Sequence, residues 1–552
     1  MNLQVPDRLF SYLFFVVLLL YGLLYAPFGI NETDGGFLTG LGWQVLCGKT
    51  LYQDILYVRP PLPVWLRALE LTLLPETWSV LGERWIFYFK LALYSWLAAD
   101  LLAKGSYRWM LATTGFIVSV HGYPACAWHT VDGILFSVLA LWLYAARTDF
   151  KRLLFLRAAL AGISFCAAML CKQSFYPLVV IFPALMLLWD HPRKAGRIFW
   201  FSVSALLCTV LFFSYLYQNS LLQDYLQMTG ASASGGQALQ HGLLDYLHIK
   251  PGLALLSVLL LAPVAWWFLK RSNTDAAFTT WNLWTALLLG AYVLEVWRRE
   301  EFTAPYTQAR LLFLVGVAYA GWLALEWWKQ QQKPAFFKKG LPDPVILLLA
   351  LLAISWSAAI SWGYSLPIFL ATPWMFTTLE IGRILQETWQ SKSQAKGWYL
   401  AQILILLVVA WFNYEFVYRD GRRSEMTEHL GNFFPKLQGI YSTPETAALY
   451  RDLLDLNRKY GSDFAVLPAF PQAHFLTGTC SALPLDWLVQ RETNGDNHLI
   501  INSLASKKPV LFIEKSFLEK INSDPELELT KQLMSRGKFL EATPHFQVIQ
   551  YQ

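Results

Sequence analysis

The chain of 552 residues is 55% hydrophobic and 16% aromatic, with 15% charged residues and a net charge of +6. That charged fraction and a mean hydropathy of +0.37 exclude an ordinary soluble globule, in which about 25% of residues are charged. The small positive balance does not call for an acidic partner such as a nucleic acid, because Lys and Arg collect in the cytoplasmic loops of membrane proteins.

The first apolar run, at about 9–30, is long and lacks a small-residue cleavage site, so it reads as a span and not a removable signal peptide. Further runs near the ~20 residues that cross a hydrocarbon core lie at about 85–103, 109–121, 131–146, 158–171, 175–189, 198–217, 252–269, 277–297, 309–328, 343–361, 366–387 and 398–418. Thirteen crossings put the two ends on opposite sides. Lys104, Arg108, the basic groups at 147–157 and 193–197, Lys270, Arg271, the lysines at 329–339 and Lys392 fall in alternate loops. The positive-inside bias makes those loops cytoplasmic, along with the N-terminus. The segment 31–84 and the tail are then outside. Runs 109–121 and 158–171 are short for a crossing. A short helix is tolerated where protein or a water-filled cavity covers its end, and the other reading makes one of them re-entrant. The six cysteines show no CxxC pair or metal-ligand spacing, and most lie in apolar runs as small buried hydrophobes.

The outer segment is far longer than a turn. Its stretch FLTGLGWQVLCG predicts a helix with Phe37, Leu41, Val45 and Leu46 on one face and Gly48 as the stop. LPVWLRALELTLL predicts another, started by Pro60 and Pro61. Two amphipathic helices in the interface plane would serve as a surface clamp. Asp34 fits that reading poorly: it lies just beyond the first span, beside two glycines that permit close approach. After about 419 the composition turns polar. There TPETAALYRDLLDLNRKYG reads as a helix with Thr443 as N-cap and Gly461 as stop. DFAVLP, PVLFIE and FQVIQY read as strands, separated by helical stretches such as DPELELTKQLMSRG. The expected architecture is a polytopic α-helical membrane domain over 1–418 and an extracytoplasmic α/β domain over 419–552. The α/β part shows no Gly-rich phosphate loop or nucleophile arrangement, which gives it an accessory role.

The run Asp34-Gly35-Gly36, then Gly48, Leu51-Tyr52-Gln53-Asp54 and Arg59-Pro60-Pro61-Leu62 resembles the first outer loop of GT-C glycosyltransferases. The similarity is to the group holding protein O-mannosyltransferases, lipid A aminoarabinose transferase and rhizobial lipopolysaccharide sugar transferases. Lys172-Gln173 matches a KQ pair that many relatives carry at the outer end of a later helix. The detailed resemblance covers roughly residues 1–200. Relatives often carry Asp-Glu at the first acid, whereas Gly35 follows Asp34 here and Glu32 lies upstream.

The resemblance implies a GT-C-like fold in a bacterial inner membrane and an inverting enzyme. Such an enzyme moves a sugar from a polyprenyl-phosphate donor to a lipid, glycan or protein acceptor at the outer face. It implies Asp34 as the base that deprotonates the acceptor, Arg59 as a bidentate phosphate contact and Tyr52 in the substrate loop. The other reading of Arg59 is snorkelling to headgroups. Asp132, in HGYPACAWHTVDG, is expected as a second acid or as the N-cap of the span near Val131. His129 reads as a hydrogen-bonding group, or with Asp132 as two ligands of a divalent cation that lacks a third. Lys172, Arg298 and Arg299 lie on the basic-poor side and read as donor contacts, although Glu300 and Glu301 offer the two arginines local ion pairs. A transporter or flippase of lipid-linked sugars would show internal repeats, and none is visible. A non-catalytic scaffold gives Asp34, Arg59 and Asp132 no reason to share one face.

Overall fold

The computed structural model describes residues 7–103, 105–120, 125–147, 150–189, 192–230, 343–360, 407, 410, 411, 414, 415, 417, 420–493 and 497–552. Spans 252–269, 277–297, 309–328 and 366–387 lie outside the described residues, as do most of 398–418 and both Arg298 and Arg299.

The N-terminal helices are α1 (Asp7–Leu24), α2 (Phe37–Leu46), α3 (Leu62–Leu73), α4 (Ser79–Leu102), α5 (Ser106–Val120), α6 (His129–Ala145), α7 (Lys151–Met169), α8 (Leu178–Leu188), α9 (Lys194–Gln218) and α10 (Leu222–Gly230). Helix α11 (Asp343–Ala359) packs against α6 and α8. Among the described residues, α4, α7 and α9 are long and apolar enough to cross a membrane, and α1, α6, the 173–188 stretch and α11 are shorter apolar helices. Leu206, Leu207, Val210 and Leu211 stand exposed on α9, as suits a lipid-facing surface.

Three expected spans change. The first ends at Leu24 and not near residue 30, since Pro27 disfavours helical backbone just before it. The run read as 158–171 is no short segment: α7 starts at Lys151 and spans 19 residues. Arg152 and Arg157 do not break it, because long basic side chains can leave a helix surface for water. Arg157 lies over the Trp142 ring, 5.7 Å from its centroid. The run at 175–189 opens with a 3-10 turn, Gln173–Phe175, before α8. Helix α7 packs closely on α9 at Gly162, where a Cβ would run into the Phe201 carbonyl.

Both helices of the segment 31–84 form where the pattern placed them. Phe37 and Leu41 are buried on α2 as expected, but Leu46 points outward and Leu38 is buried instead. In α3, Val64, Arg67 and Ala68 face inward while Leu69 and Leu73 are exposed.

The polar C-terminal region holds α12 (Pro444–Tyr460), α13 (Ala473–Thr477), α14 (Gln490–Thr493), α15 (His498–Lys507), α16 (Leu518–Ser523) and α17 (Glu528–Ser535). Thr443 accepts from the Thr446 amide as the N-cap of α12. Strands β1 (Glu428–His429) and β2 (Tyr441–Ser442) form a small antiparallel pair. Strands β3 (Phe464–Leu467), β4 (Val510–Glu514), β5 (Gly537–Ala542) and β6 (Phe546–Tyr551) build one sheet in the order β3-β4-β6-β5. The β3–β4 pair is parallel and the rest antiparallel. Strand β5 was not expected: GKFLEA is largely exposed and lies at the sheet edge.

This region is bound tightly to residues 30–44 and Cys47. Asp420 accepts from the Ile30 amide at 2.7 Å, from Ser442 Oγ at 2.6 Å and from Thr446 Oγ1 at 3.1 Å. Trp43 Nε1 donates to the Thr479 carbonyl and Gln44 Nε2 to Asp486, at 2.7 and 2.8 Å. Gly40 leaves no room for a Cβ against the Pro471 carbonyl. A disulfide joins Cys47 to Cys480, 433 residues apart. That bond corrects the reading of these two cysteines, since such a separation hides a pair from spacing rules. Cys126, Cys166 and Cys171 are buried thiols, as expected.

Removing the bond by Cys47→Ser should destabilise the protein by about 2–5 kcal/mol. The thermal midpoint in lipid should fall, and non-reducing peptide mapping of the parent should recover the linked pair. An unchanged midpoint would show that the hydrogen bonds alone hold the two parts together.

Candidate active site

Asp34 opens a 3-10 turn, Asp34–Gly36, that leads into α2. The Asn31 side chain holds the turn: its Oδ1 accepts from the Asp34 amide at 2.8 Å, the Gly35 amide at 3.3 Å and Thr33 Oγ1 at 3.0 Å. Asp34 is buried, and its carbonyl accepts from the Cys126 thiol just ahead of α6. Its negative charge acts on Arg59. Glu32 faces elsewhere. Burial pushes its carboxyl up to about 8, and the negative charges of Glu514 and Asp420 add to that. The two acids therefore differ in their charged neighbours, Glu514 and Asp420 for Glu32 and Arg59 for Asp34.

Arg59 sits in the extended stretch before Pro60 and Pro61. Tyr52, buried and in the left-handed backbone region at φ 74, donates from its hydroxyl to the Arg59 carbonyl at 2.9 Å. Thr50 and Asp54 close the intervening turn, the Thr50 amide donating to Asp54 Oδ2 at 2.9 Å. Tyr52 thus shapes the loop from inside, with its ring edge-on to Tyr225. Gln173 Nε2 donates to the Val58 carbonyl at 2.6 Å, which ties the KQ pair to the residue preceding Arg59. The Arg59 guanidinium lies 5.4 Å from the Phe37 ring centroid. Both of its terminal nitrogens reach Glu492 on α14, at 2.5 Å each.

His129 starts α6, stacked on Tyr57 with centroids 6.0 Å apart and 18° between planes. Phe37 is 5.8 Å from it on another side. His129 is buried, and among the described residues its Nε2 finds no hydrogen-bond partner. Arg59 and Lys172 are the charges that act on it. Lys172 is buried and donates to Thr130 Oγ1 at 3.3 Å. Burial first, and then the Arg59 charge, push Lys172 down to about 7.

Asp132 is not a helix cap. Trp128 occupies the N-cap position of α6, and Asp132 lies in the first turn. Its carboxylate is paired with Lys90 at 2.7 Å. Lys90 also meets Glu70 at 2.6 Å, Glu70 meets Arg67 at 3.3 Å, and Arg67 meets Glu83 at 2.5 Å. Glu83 accepts in addition from Thr39 Oγ1 at 2.9 Å and the Ala127 amide at 2.7 Å. A chain of five charges therefore runs from Asp132 under α2 and α3. Among the described residues no three His, Cys, Asp or Glu side chains are grouped to hold a metal ion.

Of the residues picked out in the sequence, Arg59 and His129 meet at Phe37, Asp34 and Lys172 lie within electrostatic reach of Arg59, and Asp132 pairs instead with Lys90. Glu492, Tyr57, Lys90, Arg67 and Glu83 were missed. The buried charges of α3 and α4 were visible as ionisable residues in apolar surroundings, a signal for function by itself. Glu492 carried no such mark, lying in a polar stretch.

No family model matches the sequence, and no curated protein matches it. Solved structures similar to this chain include the archaeal oligosaccharyltransferase AglB from Archaeoglobus fulgidus in complex with an inhibitory peptide and a dolichol-phosphate. That structure has a TM-score of 0.47 at 10% identity, with 98% of this chain and 73% of that chain covered. The Archaeoglobus fulgidus oligosaccharyltransferase in complex with Zn and sulfate gives 0.48 at 11% identity, covering 98% and 72%. ArnT from Cupriavidus metallidurans in the apo state gives 0.44 at 10% identity, covering 98% and 97%. Both kinds of neighbour are GT-C glycosyltransferases, the group the sequence resembles.

Proposed function

We propose that this chain is an inverting GT-C glycosyltransferase. It takes a sugar from a polyprenyl-phosphate donor and passes it to a lipid, glycan or protein acceptor at the outer face of the membrane. The observation that supports the reading is that Asp34, His129 and Lys172, from three separate segments, all lie within electrostatic reach of Arg59. A carboxylate and two cations so placed match the needs of the reaction. Asp34 takes the proton of the acceptor O–H as that oxygen attacks the anomeric carbon. The bond from the anomeric carbon to the phosphate oxygen breaks, and polyprenyl phosphate leaves with the electron pair. Arg59 and Lys172 face the charge that builds on the phosphate. His129 Nε2 offers a hydrogen bond to donor or acceptor, and Asp132 steadies α6 through Lys90. The disulfide supports the outer placement, because such bonds persist in oxidising compartments. Arg298 and Arg299 keep their proposed role as further donor contacts.

Arg59→Ala tests the reading. It should weaken binding of polyprenyl monophosphate by about 10-fold or more, the loss of a charged, bidentate contact. Unchanged binding in a folded variant would remove Arg59 from the donor site.

Binding should also depend on pH. Lys172 is charged below about 7 and loses its proton as pH rises through that value, so the phosphate loses a cation. A non-hydrolysable donor analogue with a phosphodiester, whose own charge is constant, should bind about three- to tenfold more weakly at pH 8.5 than at pH 6. Lys172→Met should bind weakly at both and show no slope. The same slope in that variant would assign the titration to another group.

A further inference from the structure

Glu492, from the polar C-terminal region, meets Arg59 of the proposed donor site. We infer that Glu492 is a positioning residue: it holds the Arg59 guanidinium in the plane and direction in which its remaining N–H groups face the donor phosphate. The inference rests on the reading of Arg59 as a phosphate contact.

Three observations carry it. The contact is bidentate, with Arg59 Nη1 on Glu492 Oε2 and Nη2 on Oε1, both at 2.5 Å. Two parallel hydrogen bonds fix the rotation of a planar group, where a single one leaves it free to swing. The pair is also asymmetric. The Glu492 side chain is 5% exposed and that of Arg59 is 21% exposed, so the glutamate stands behind the guanidinium and the arginine keeps an open side. A carboxylate competing for the phosphate's place would instead sit on the open side. Finally, both neighbours of the pair are fixed. Phe37 packs against the guanidinium, and Trp487, three residues before α14, meets Phe37 edge-on at 5.1 Å. Glu492 also feels the Lys172 charge, so its carboxylate serves both cations of the proposed phosphate site.

Bidentate contact with Glu492 occupies one edge of the guanidinium. The Nε–H edge is left for a second anion, which gives an arginine clamped from behind and presented forward. Arg59 lies 433 residues from Glu492 in the chain. The C-terminal region is therefore no detachable accessory, and removing it would strip Arg59 of its orienting partner.

Glu492→Gln in the full chain tests the inference. The amide keeps the size, but one of its two contacts becomes donor against donor, so the guanidinium turns. The KM for a polyprenyl-phosphate sugar should rise about 10- to 100-fold, the scale of a misplacement near 1 Å, with kcat changed much less. Polyprenyl monophosphate binding should weaken in parallel, and Glu492→Asp should restore part of it. An unchanged KM would overturn the inference, and so would tighter binding, which would make Glu492 a competitor of the phosphate. If Glu492→Gln folds poorly, Glu492→Asp decides. A folded Glu492→Asp variant that binds polyprenyl monophosphate more weakly than the parent supports the inference, whereas binding equal to the parent overturns it. Loss of binding in Arg59→Ala together with normal binding in Glu492→Gln would sink this inference alone. Normal binding in Arg59→Ala would sink the reading beneath it.

Discussion

Asp34→Asn should abolish most sugar transfer while leaving donor binding intact. The substitution keeps the side chain's size, and the turn around it is held by Asn31 through the backbone, so the loop should retain its shape. What disappears is the basicity that removes the acceptor proton. General base assistance is worth about 10²–10⁴-fold in rate, and transfer should fall by at least that order. Glu32→Gln should be far milder, because Glu32 lies with Glu514 and Asp420 and not with Arg59. Asp132→Asn should fall between them, since it leaves Lys90 with Glu70 as its remaining ion-pair partner. Single-turnover transfer at saturating donor measures all three. An active Asp34→Asn beside an inactive Glu32→Gln would move the base to the upstream acid.

The largest effect on stability is expected at Arg67. Its guanidinium is fully buried and contacts Glu83, Glu70 and Thr39 Oγ1. In the connected chain it is one of two cations, with Lys90, against three carboxylates, Glu70, Glu83 and Asp132. Among the described residues, Arg67→Ala leaves Glu83 with only neutral hydrogen-bond partners, the Thr39 hydroxyl and the Ala127 amide. Removing one partner of a buried pair costs about 3–5 kcal/mol, because the remaining charge stays desolvated and uncompensated. Replacing both, as Arg67→Met with Glu83→Leu, should cost much less by the same reasoning. Denaturation in lipid nanodiscs reads both variants. A single variant as stable as the parent would mean that Glu83 is reached by water. Activity should fall with stability in Arg67→Ala, since the Ala127 amide held by Glu83 lies two residues before His129.

Much of the membrane part was legible in the sequence because apolar runs and turn residues act locally. Pro60 and Pro61 lead into α3 as expected, with Pro61 at its N-cap, Gly48 ends the helical run after α2, and Thr443 caps α12. The GT-C-like loop motifs led to Asp34 and Arg59 because their residue types at that spacing are unusual just outside a span. What stayed hidden depends on partners distant in the chain. Cys47 and Cys480, Arg59 and Glu492, and Asp420 with Ile30 are pairings that no window of neighbouring residues contains. Tyr52 was read as a substrate contact from its place in a motif, whereas its buried ring and its bond to the Arg59 carbonyl give it the loop's shape to keep. The Asp132 cap reading failed by four residues, since Trp128 holds the N-cap position. Helix α6 starts at His129, and side chains there settle what a boundary read from hydropathy leaves loose.

The most direct measurement of the account uses the full-length protein in lipid with a panel of labelled polyprenyl-phosphate sugars and an envelope lipid extract as acceptor source. For one donor of the panel, the account predicts that label appears in an acceptor while polyprenyl monophosphate is released in equal amount, and that Asp34→Asn stops both. Movement of intact lipid-linked sugar across the bilayer, with no release of polyprenyl monophosphate from any donor, would contradict it.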